Sequence, residues 1–300
     1  MQPKQLIQLF SNLTTWKRGG QRAPHKPLLV LFSLGRIYRG EPRFISYMEL
    51  KDDLKQLLKD FGPHRHTYYS RFPFVRLCND GIWELKGIKN LDTRIDWSEH
   101  HLIDNETIGG FTKEVYNILK ENPNLIRKLA EFLLEQNFPN TIHQDILQAV
   151  GLEIELINAG LIGELHSVTH RDPKFRDKVL KAYEYSCAVC GFNVRLGNTL
   201  IAVEAAHIKW HQAGGPDQEE NGIALCSMHH KLFDRGAFTL DKSLTFLVAE
   251  EAHGTRGLEE WLLKYHGKQV RFPQSPTYYP KESFINWHVR EVFKSQIRYF

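Results

Sequence analysis

The sequence predicts an α+β protein of two domains: a mainly helical N-terminal domain with a β-hairpin, and a C-terminal domain stabilised by a metal. Three observations support this prediction. A chain of 300 residues usually holds two domains. Its first half carries apolar residues at helical spacing together with helix-capping signals. Its second half carries two pairs of soft metal ligands. We expect residues 1–155 to form the first domain, including an acidic helical connector from about residue 91, and residues 156–300 to form the second.

Two helices are expected near the N-terminus. The apolar segment 28–38 predicts a buried helix, with Pro27 in its first turn and Gly40 beyond its end. Ser46 and Glu49 have the spacing of a capping box, and leucines then recur at helical spacing. A second, amphipathic helix should therefore follow the first.

A β-hairpin is expected after these helices. Residues 72–77, Phe-Pro-Phe-Val-Arg-Leu, would form the first strand, a turn-forming Asn-Asp-Gly follows at 79–81, and the apolar segment 82–85 would return as the second strand. Helices followed by a basic hairpin are typical of a winged-helix-like domain. Further helices are predicted in the acidic middle of the chain, the clearest over residues 124–137.

Charge is distributed unevenly along the chain. Residues 1–90 contain 16 Lys or Arg against 7 Asp or Glu, residues 91–170 contain 5 against 13, and residues 171–300 contain 18 against 15. The basic first segment favours a polyanionic partner such as nucleic acid, although an ordinary soluble surface would give the same count. Charge alone therefore does not decide the partner.

Composition excludes several classes of protein. No apolar run reaches membrane-spanning length and the first residues lack the apolar stretch of a signal peptide, so we expect a cytoplasmic protein without a membrane partner. Four cysteines are too few for a disulfide framework. Cys78 stands apart and is expected to be a free thiol.

The other three cysteines indicate a metal site. Cys187 and Cys190 form one pair with two residues between them, and Cys226 with His229 forms a second. Thiolate and imidazole ligands in two such knuckles are what a tetrahedral structural Zn²⁺ requires. A helix with Asp172 as its N-cap and Pro173 at its first position would deliver the chain to the first knuckle.

The residues between and after the knuckles resemble a known family. The runs AAHI at 205–208 and NGIALCSMHHKLFD at 221–234 are similar to HNH nucleases of the McrA-like kind. The resemblance implies a ββα-metal (HNH) fold. We expect a two-stranded ribbon of residues 199–206 with 223–225, then a helix over 227–235 that is capped by Gly236.

The same resemblance implies a metal-dependent DNA endonuclease. His207 would be the general base, Asn221 would orient that histidine or pin its loop, and His230 would bind a catalytic divalent ion. Asp234 lies one helical turn beyond His230, and its carboxylate would favour Mg²⁺ or Mn²⁺. Some relatives carry an acidic ligand at the position of Ala206.

Glu204 is the substitute for that acid that the sequence offers. It lies three residues before His207, so strand alternation predicts that the two side chains point to opposite faces. The resemblance therefore leaves open whether Glu204 belongs to the catalytic ligand set.

The N-terminal half resembles a second family. The segment 22–29 and the residues from Phe72 to Trp83 are similar to the sulfur-binding domain of restriction endonucleases that recognise phosphorothioate-modified DNA. The resemblance implies that Phe72 and Pro73 form an apolar cup on a loop. It also implies DNA contacts from six basic residues, namely Arg22, His25, Lys26, His64, Arg65 and His66.

One position departs from this second family. Arg76 occupies the third place after Pro73, where some relatives carry a small residue that lines the pocket. Either the pocket differs or the register is shifted. Core packing at a strand start remains an alternative for Phe72 and Pro73, and a solvated loop remains one for Arg65.

Three functions remain open at this point. The first is a type IV restriction endonuclease that acts as a homodimer on double-stranded, phosphorothioate-modified DNA. The second is an HNH endonuclease that recognises methylated or unmodified DNA. The third is a zinc-stabilised DNA-binding regulator without catalysis, which would leave the set His207, Asn221, His230 and Asp234 unexplained.

Overall fold

The computed structural model describes residues 3–14, 20–89, 91–152, 172–294 and 296–298. The chain divides into two units, Met1–His166 and Ser167–Phe300. Within the described ranges, no helix combines the length and the apolar character needed to cross a membrane. The expected α+β class, with a helical N-terminal half, is confirmed.

The first unit consists of eight described helices and a small sheet. The helices are α1 (Pro3–Ser11), α2 (His25–Tyr38), α3 (Tyr47–Phe61), α4 (Arg71–Arg76), α5 (Glu99–Asp104), α6 (Lys113–Glu121), α7 (Pro123–Asn137) and α8 (His143–Ala149). The strands are β1 (Phe44–Ser46), β2 (Trp83–Lys86) and β3 (Ile108–Phe111). They form an antiparallel sheet in the order β1-β3-β2.

Helix α2 lies at the centre of this unit. Its apolar residues are buried on every side, as a helix surrounded by other elements requires. It contains the predicted segment with Pro27 near its start, and Gly40 follows it in the left-handed conformation with φ +76°. The capping box is also confirmed, because Ser46 Oγ accepts from the Glu49 backbone while Glu49 returns a contact to the Ser46 N–H.

The predicted hairpin is wrong in its first strand. Residues Arg71–Arg76 form helix α4, a 3₁₀ turn follows, and β2 pairs with β3 instead. Pro73 lies in the first turn of the helix, where its missing N–H costs little. Phe74 is fully buried between Tyr47 and Trp83. Tertiary packing of this ring therefore overrides the strand preference of the local sequence.

The second unit surrounds the predicted metal sites. Its described helices are α9 (Phe175–Ala182), α10 (Ser227–Asp234), α11 (Arg256–Trp261) and α12 (Glu282–Glu291). Its described strands form the hairpins β4–β5 (Arg195–Leu196, Thr199–Leu200), β6–β7 (Val203–His207, Gly222–Cys226) and β8–β9 (Phe238–Leu240, Phe246–Val248).

The β6–β7 ribbon followed by α10 matches the predicted ββα arrangement. The ribbon begins later than predicted, because Thr199–Leu200 pairs with β4 and Ala202 (φ +54°) bends the chain before β6. Helix α10 ends before Gly236, as predicted, where φ is +74° and a Cβ atom would lie 2.1 Å from the Val292 carbonyl oxygen. This position therefore requires glycine.

Helix α9 begins later than predicted. Phe175 is its first residue and Lys174 occupies the capping position, whereas Asp172 lies in the turn before it. The Asp172 side chain still accepts the Lys174 backbone N–H at 2.9 Å, which is the hydrogen bond that an N-cap makes. The prediction that Asp172 is the N-cap of α9 is therefore wrong, because the hydrogen bond of Asp172 closes the turn that precedes the helix.

Candidate functional site

Four soft ligands converge at the junction of the knuckle, the ribbon and α10. The Sγ atom of Cys226 lies 3.2 Å from Nδ1 of His229, Cys187 Sγ lies 3.7 Å from the same nitrogen, and Cys190 Sγ lies 3.9 Å from Cys226 Sγ. Tetrahedral zinc with bonds of about 2.3 Å separates its ligands by about 3.8 Å. The geometry therefore fits zinc. Within the part of the chain that the structure describes, this is the one such group of three or more ligands.

The surroundings of His229 prepare it as a ligand. Its Nε2 donates to the Trp261 carbonyl oxygen at 3.0 Å, which leaves Nδ1 directed toward the cysteines. Aromatic rings from the β8–β9 hairpin and from residues 261–265 pack edge-on around it. Burial alone would lower the pKa of His229, but contacts with Cys187 and Cys190 outweigh it and raise the pKa to about 9. Hydrogen bonds among the cysteines lower the pKa of Cys187 and raise that of Cys226, because the two thiols compete for the same proton.

A second group of polar side chains joins β6 to α10. Glu204 Oε2 lies 2.6 Å from His230 Nδ1, and Ser227 Oγ donates to the other carboxylate oxygen at 2.9 Å. The contact with His230 lowers the pKa of Glu204. On the other side of the imidazole, Asp234 Oδ2 lies 3.2 Å from Nε2 and is almost fully buried. His230 therefore has a carboxylate at each ring nitrogen.

His207, at the end of β6, has a different carboxylate partner. Its Nε2 lies 2.7 Å from Oδ1 of Asp217, and the two side chains are only 13% and 11% exposed. The other oxygen of Asp217 accepts the backbone N–H of Asp172 and lies 4.0 Å from Nε2 of His211. The Phe175 ring stacks on His207 with centroids 4.0 Å apart.

Asn221 is fully buried and pins the loop that follows β6. Its Oδ1 accepts the Lys209 N–H at 2.8 Å, and its Nδ2 donates to the carbonyl oxygens of Lys209 and Pro216, each at 3.0 Å. The loop is tight, since a Cβ atom on Gly215 would lie 1.8 Å from the Lys209 carbonyl oxygen. Of the two roles expected for Asn221, orienting His207 or pinning its loop, these contacts correspond to the second. They also fix Asp217, the residue after Pro216, whose role the sequence did not indicate.

The predicted DNA-contact residues at the start of α2 are held by the fold. Lys26 forms an ion pair of 2.5 Å with Asp80, whose side chain is 1% exposed. Arg22 donates to the Phe61 carbonyl oxygen at 2.8 Å. Burial, reinforced by the charges of Arg65 and Arg22, lowers the pKa of His25 to about 4. His25 is therefore neutral at physiological pH.

The predicted loop residues after α3 differ in exposure. Arg65 Nη1 donates to the His64 carbonyl oxygen at 2.8 Å, and its backbone N–H donates to the Tyr68 hydroxyl at 3.1 Å. His64 and Arg65 are half-buried, whereas His66 is exposed. The loop is thus internally bonded, with His66 turned to solvent.

Phe72 and Pro73 lie on helix α4 and not on a loop, which corrects the prediction for both. Pro73 is buried, whereas Phe72 is half-buried beneath two guanidinium groups. The carbon atoms at the centres of the Arg71 and Arg76 guanidiniums each lie 4.5 Å from its ring centroid. Arg76 therefore lies on the exposed side of a cluster formed by an aromatic ring and two cations.

Residues 3–155 match the model of the family described as "ScoMcrA-like, DNA sulfur-binding domain". The chain belongs to this ScoMcrA-like family. Residues 187–241 match a second model, described as "HNH endonuclease", and this range contains the cluster of three cysteines and one histidine together with His207, Asn221, His230 and Asp234. The ScoMcrA-like chain thus joins a DNA sulfur-binding domain to an HNH domain, and the predicted family is confirmed.

Solved structures provide weaker likenesses. The sulfur-binding domain of ScoMcrA complexed with phosphorothioated DNA is 19% identical, with a TM-score of 0.42 over 49% of this chain and 94% of that chain. The corresponding SprMcrA domain is 19% identical, with a TM-score of 0.44 over 51% and 95%. The type IV phosphorothioation-dependent restriction endonuclease ScoMcrA is 19% identical, with a TM-score of 0.40 over 51% of this chain and 28% of that chain.

No curated protein matches the sequence. The family assignment rests on the two family models and not on the structural likenesses.

Proposed function

We propose that this ScoMcrA-like chain is a type IV restriction endonuclease that recognises phosphorothioate-modified DNA and hydrolyses its phosphodiester bonds at the HNH centre. The proposal rests on the finding that one chain matches both the model of a DNA sulfur-binding domain and the model of an HNH endonuclease. An HNH centre performs the same chemistry at every phosphate, so selectivity must come from another domain. A domain for modified DNA, residues 1–155, and a cutting domain, residues 156–300, would divide these tasks.

The residues around His230 suit a catalytic divalent ion. Its Nε2 and the Asp234 carboxylate oxygen are 3.2 Å apart, close to the separation of about 3 Å between neighbouring ligands of an octahedral ion with bonds of 2.0–2.1 Å. We assign Mg²⁺ or Mn²⁺ to this position and Zn²⁺ to the cysteine cluster. When bound, the divalent ion would supply Lewis-acid stabilisation of charge on the scissile phosphate.

Glu204 is assigned a supporting role at this position. Residues 204 and 206 are two positions apart on the strand, so their side chains point to the same face, and some relatives carry an acidic ligand at position 206. This shared direction accounts for the contact of Glu204 with His230. A carboxylate on the second nitrogen of a ligand histidine orients the ring and raises its basicity.

His207 is assigned as the general base. It would take a proton from the attacking water, which a neutral imidazole does near physiological pH. Asn221 would act by holding the loop from Lys209 to Pro216, and thereby the surroundings of His207. Its contacts support positioning and not contact with the reacting atoms.

On the N-terminal domain, we assign direct DNA contact to four of the predicted residues, of which His66 and Arg76 are exposed. Replacing a phosphate oxygen by sulfur adds a larger and more weakly hydrated atom, which an apolar ring can detect while cations hold the polyanion. Phe72 with Arg76 offers such a combination, and His66 and Arg65 would contact neighbouring bases or phosphates. The remaining predicted residues, Arg22, His25, Lys26, His64 and Pro73, would hold this surface in shape.

Cleavage of matched plasmids tests the proposal. Purified protein with Mg²⁺ or Mn²⁺ is expected to cut a phosphorothioate-containing plasmid and to leave its unmodified twin intact, whereas His207→Ala cuts neither. Equal cleavage of both plasmids, or preference for a methylated one, would overturn the sulfur-specific function. Binding without cleavage of any DNA would favour the non-catalytic regulator. Linear products without a nicked intermediate would support a homodimer that cuts both strands.

A further inference from the structure

We propose that Asp217 is a positioning residue of the nuclease centre, which fixes His207 in the tautomer whose Nδ1 accepts the proton from the attacking water. The inference deepens the proposed function and rests on it, because it requires His207 to be the general base. Asp217 belongs to neither metal cluster and lies in a loop, four residues before Asn221.

The contact between the two side chains determines the tautomer. Asp217 Oδ1 lies 2.7 Å from His207 Nε2. An ionised carboxylate only accepts hydrogen bonds, so Nε2 carries the hydrogen. Because a neutral imidazole has one N–H, Nδ1 is then the nitrogen with the lone pair. Asp217 thus selects which atom of His207 acts as the base.

Three contacts hold the pair of Asp217 and His207, two of them at Asp217 and one at His207. The second oxygen of Asp217 accepts the Asp172 N–H, so the carboxylate cannot rotate without losing a hydrogen bond. The residue before it, Pro216, is tied to the buried Asn221 amide. On the opposite side of the pair, the Phe175 ring stacks on His207 and restricts rotation of the imidazole. Both members of the pair are therefore fixed, as a catalytic base requires.

His230 has the contrasting arrangement. A carboxylate lies at each of its ring nitrogens, from Glu204 and Asp234, and such a ring suits a metal ligand better than a proton acceptor. The two histidines of the family motif are thus distinguished by their carboxylate partners. The titratable groups that face His207 are Asp217 and His211, and the His211 ring centroid lies 5.7 Å from that of His207.

His207 Nδ1 takes one proton from water, and the resulting hydroxide forms a bond to phosphorus. The bond from phosphorus to the leaving sugar oxygen breaks, and that oxygen takes a proton from solvent. The imidazolium then returns its proton to solvent, while Asp217 remains ionised throughout.

Asp217→Asn in the full-length, zinc-loaded protein tests the inference kinetically. An amide has one oxygen, so it cannot accept from both His207 and Asp172. We expect kcat on phosphorothioate plasmid to fall about 10²- to 10⁴-fold, with KM and DNA affinity unchanged. Glu219→Gln is the matched control, since it makes the same change two residues away, and it should retain full activity. An unchanged kcat in Asp217→Asn would overturn the inference.

Ring ¹⁵N chemical shifts provide a readout that does not need cleavage. Long-range ¹H–¹⁵N correlation of labelled histidines, with His207 assigned by its absence in His207→Gln, should show the Nε2–H tautomer in the natural protein. Asp217→Asn should shift the ring toward a mixture. An Nδ1–H tautomer in the natural protein would overturn the inference, even if Asp217→Asn failed to fold. If the natural protein cut no DNA, the proposed function would fail, while this spectrum would still show whether Asp217 fixes the tautomer of His207.

Discussion

Glu204 on strand β6 contacts His230 on helix α10, with 2.6 Å between Oε2 and Nδ1. The bond joins the ribbon to the helix of the ββα unit at the histidine assigned to the catalytic ion. Ser227, in the first turn of that helix, holds the other carboxylate oxygen. The orientation of His230 therefore depends on a residue outside the family motif.

Glu204→Gln should weaken binding of the divalent ion. The amide presents a poorer acceptor to Nδ1, and loss of such a partner typically costs about 10- to 100-fold in metal affinity. Calorimetric titration of zinc-loaded protein with Mn²⁺ measures the effect. Glu260→Gln is the control, because Glu260 lies in an exposed ion pair with Arg256. An affinity for Mn²⁺ equal to that of the natural protein would contradict the assigned role.

Removal of zinc should unfold the second unit. The cluster ties the first knuckle to α10, and binding of a structural zinc contributes on the order of 10 kcal/mol to folding. Cys190→Ser, or a strong chelator, is expected to abolish cleavage and to lower the melting temperature. Metal analysis with scanning calorimetry measures both. Cys78→Ser is the control, since Cys78 lies outside the cluster. Retention of fold and cleavage after complete zinc removal would refute the structural role.

Acid should destabilise the first unit through His25. Its pKa is about 4 in the folded chain against 6.5 for the free group, so the unfolded chain binds a proton that the folded chain excludes. The contribution of His25 to the free energy of unfolding is therefore fully present above pH 6.5 and is lost as the pH drops from 6.5 toward 4. His25→Gln should reduce this slope. Urea unfolding at several pH values provides the measurement, and identical slopes in both proteins would contradict it.

Substitution of the two phenylalanines on helix α4 should affect different properties, stability for Phe74 and DNA binding for Phe72. Phe74 is fully buried, and Phe74→Ala is expected to cost about 3–5 kcal/mol of unfolding free energy. Phe72→Ala should cost much less stability but should reduce affinity for phosphorothioate DNA. Urea unfolding and a binding titration separate the two effects. The assignment of Phe72 fails if its loss leaves binding unchanged.

The sequence predicted the features that depend only on residues close together in the chain. The capping box at Ser46 needs only two residues of one turn, and the knuckle spacing of Cys187 with Cys190 needs only a short loop. Glycine at 236 was predictable as a helix end, although its packing against Val292 was not. Such features depend on contacts within a few residues of the chain.

Features that depend on distant contacts were not predictable. Helix α4 forms because Phe74 packs between Tyr47 and Trp83, which are remote in sequence. Asp217 lies in a loop without a recognisable spacing, and only the fold brings it to His207. Strand alternation predicted that the side chains of Glu204 and His207 point to opposite faces. The contact of Glu204 with His230 was not predictable, because it depends on where α10 packs against the strand.

The basic and acidic segments of the sequence belong to one folded unit. Lys55 pairs with Glu99 and Arg71 with Asp96, so the acidic stretch neutralises much of the charge that precedes it. A nearly neutral unit attracts the DNA backbone only weakly at long range. Under the proposed function, this unit should therefore hold ordinary DNA only briefly, and its contacts should last only where a modified site is met.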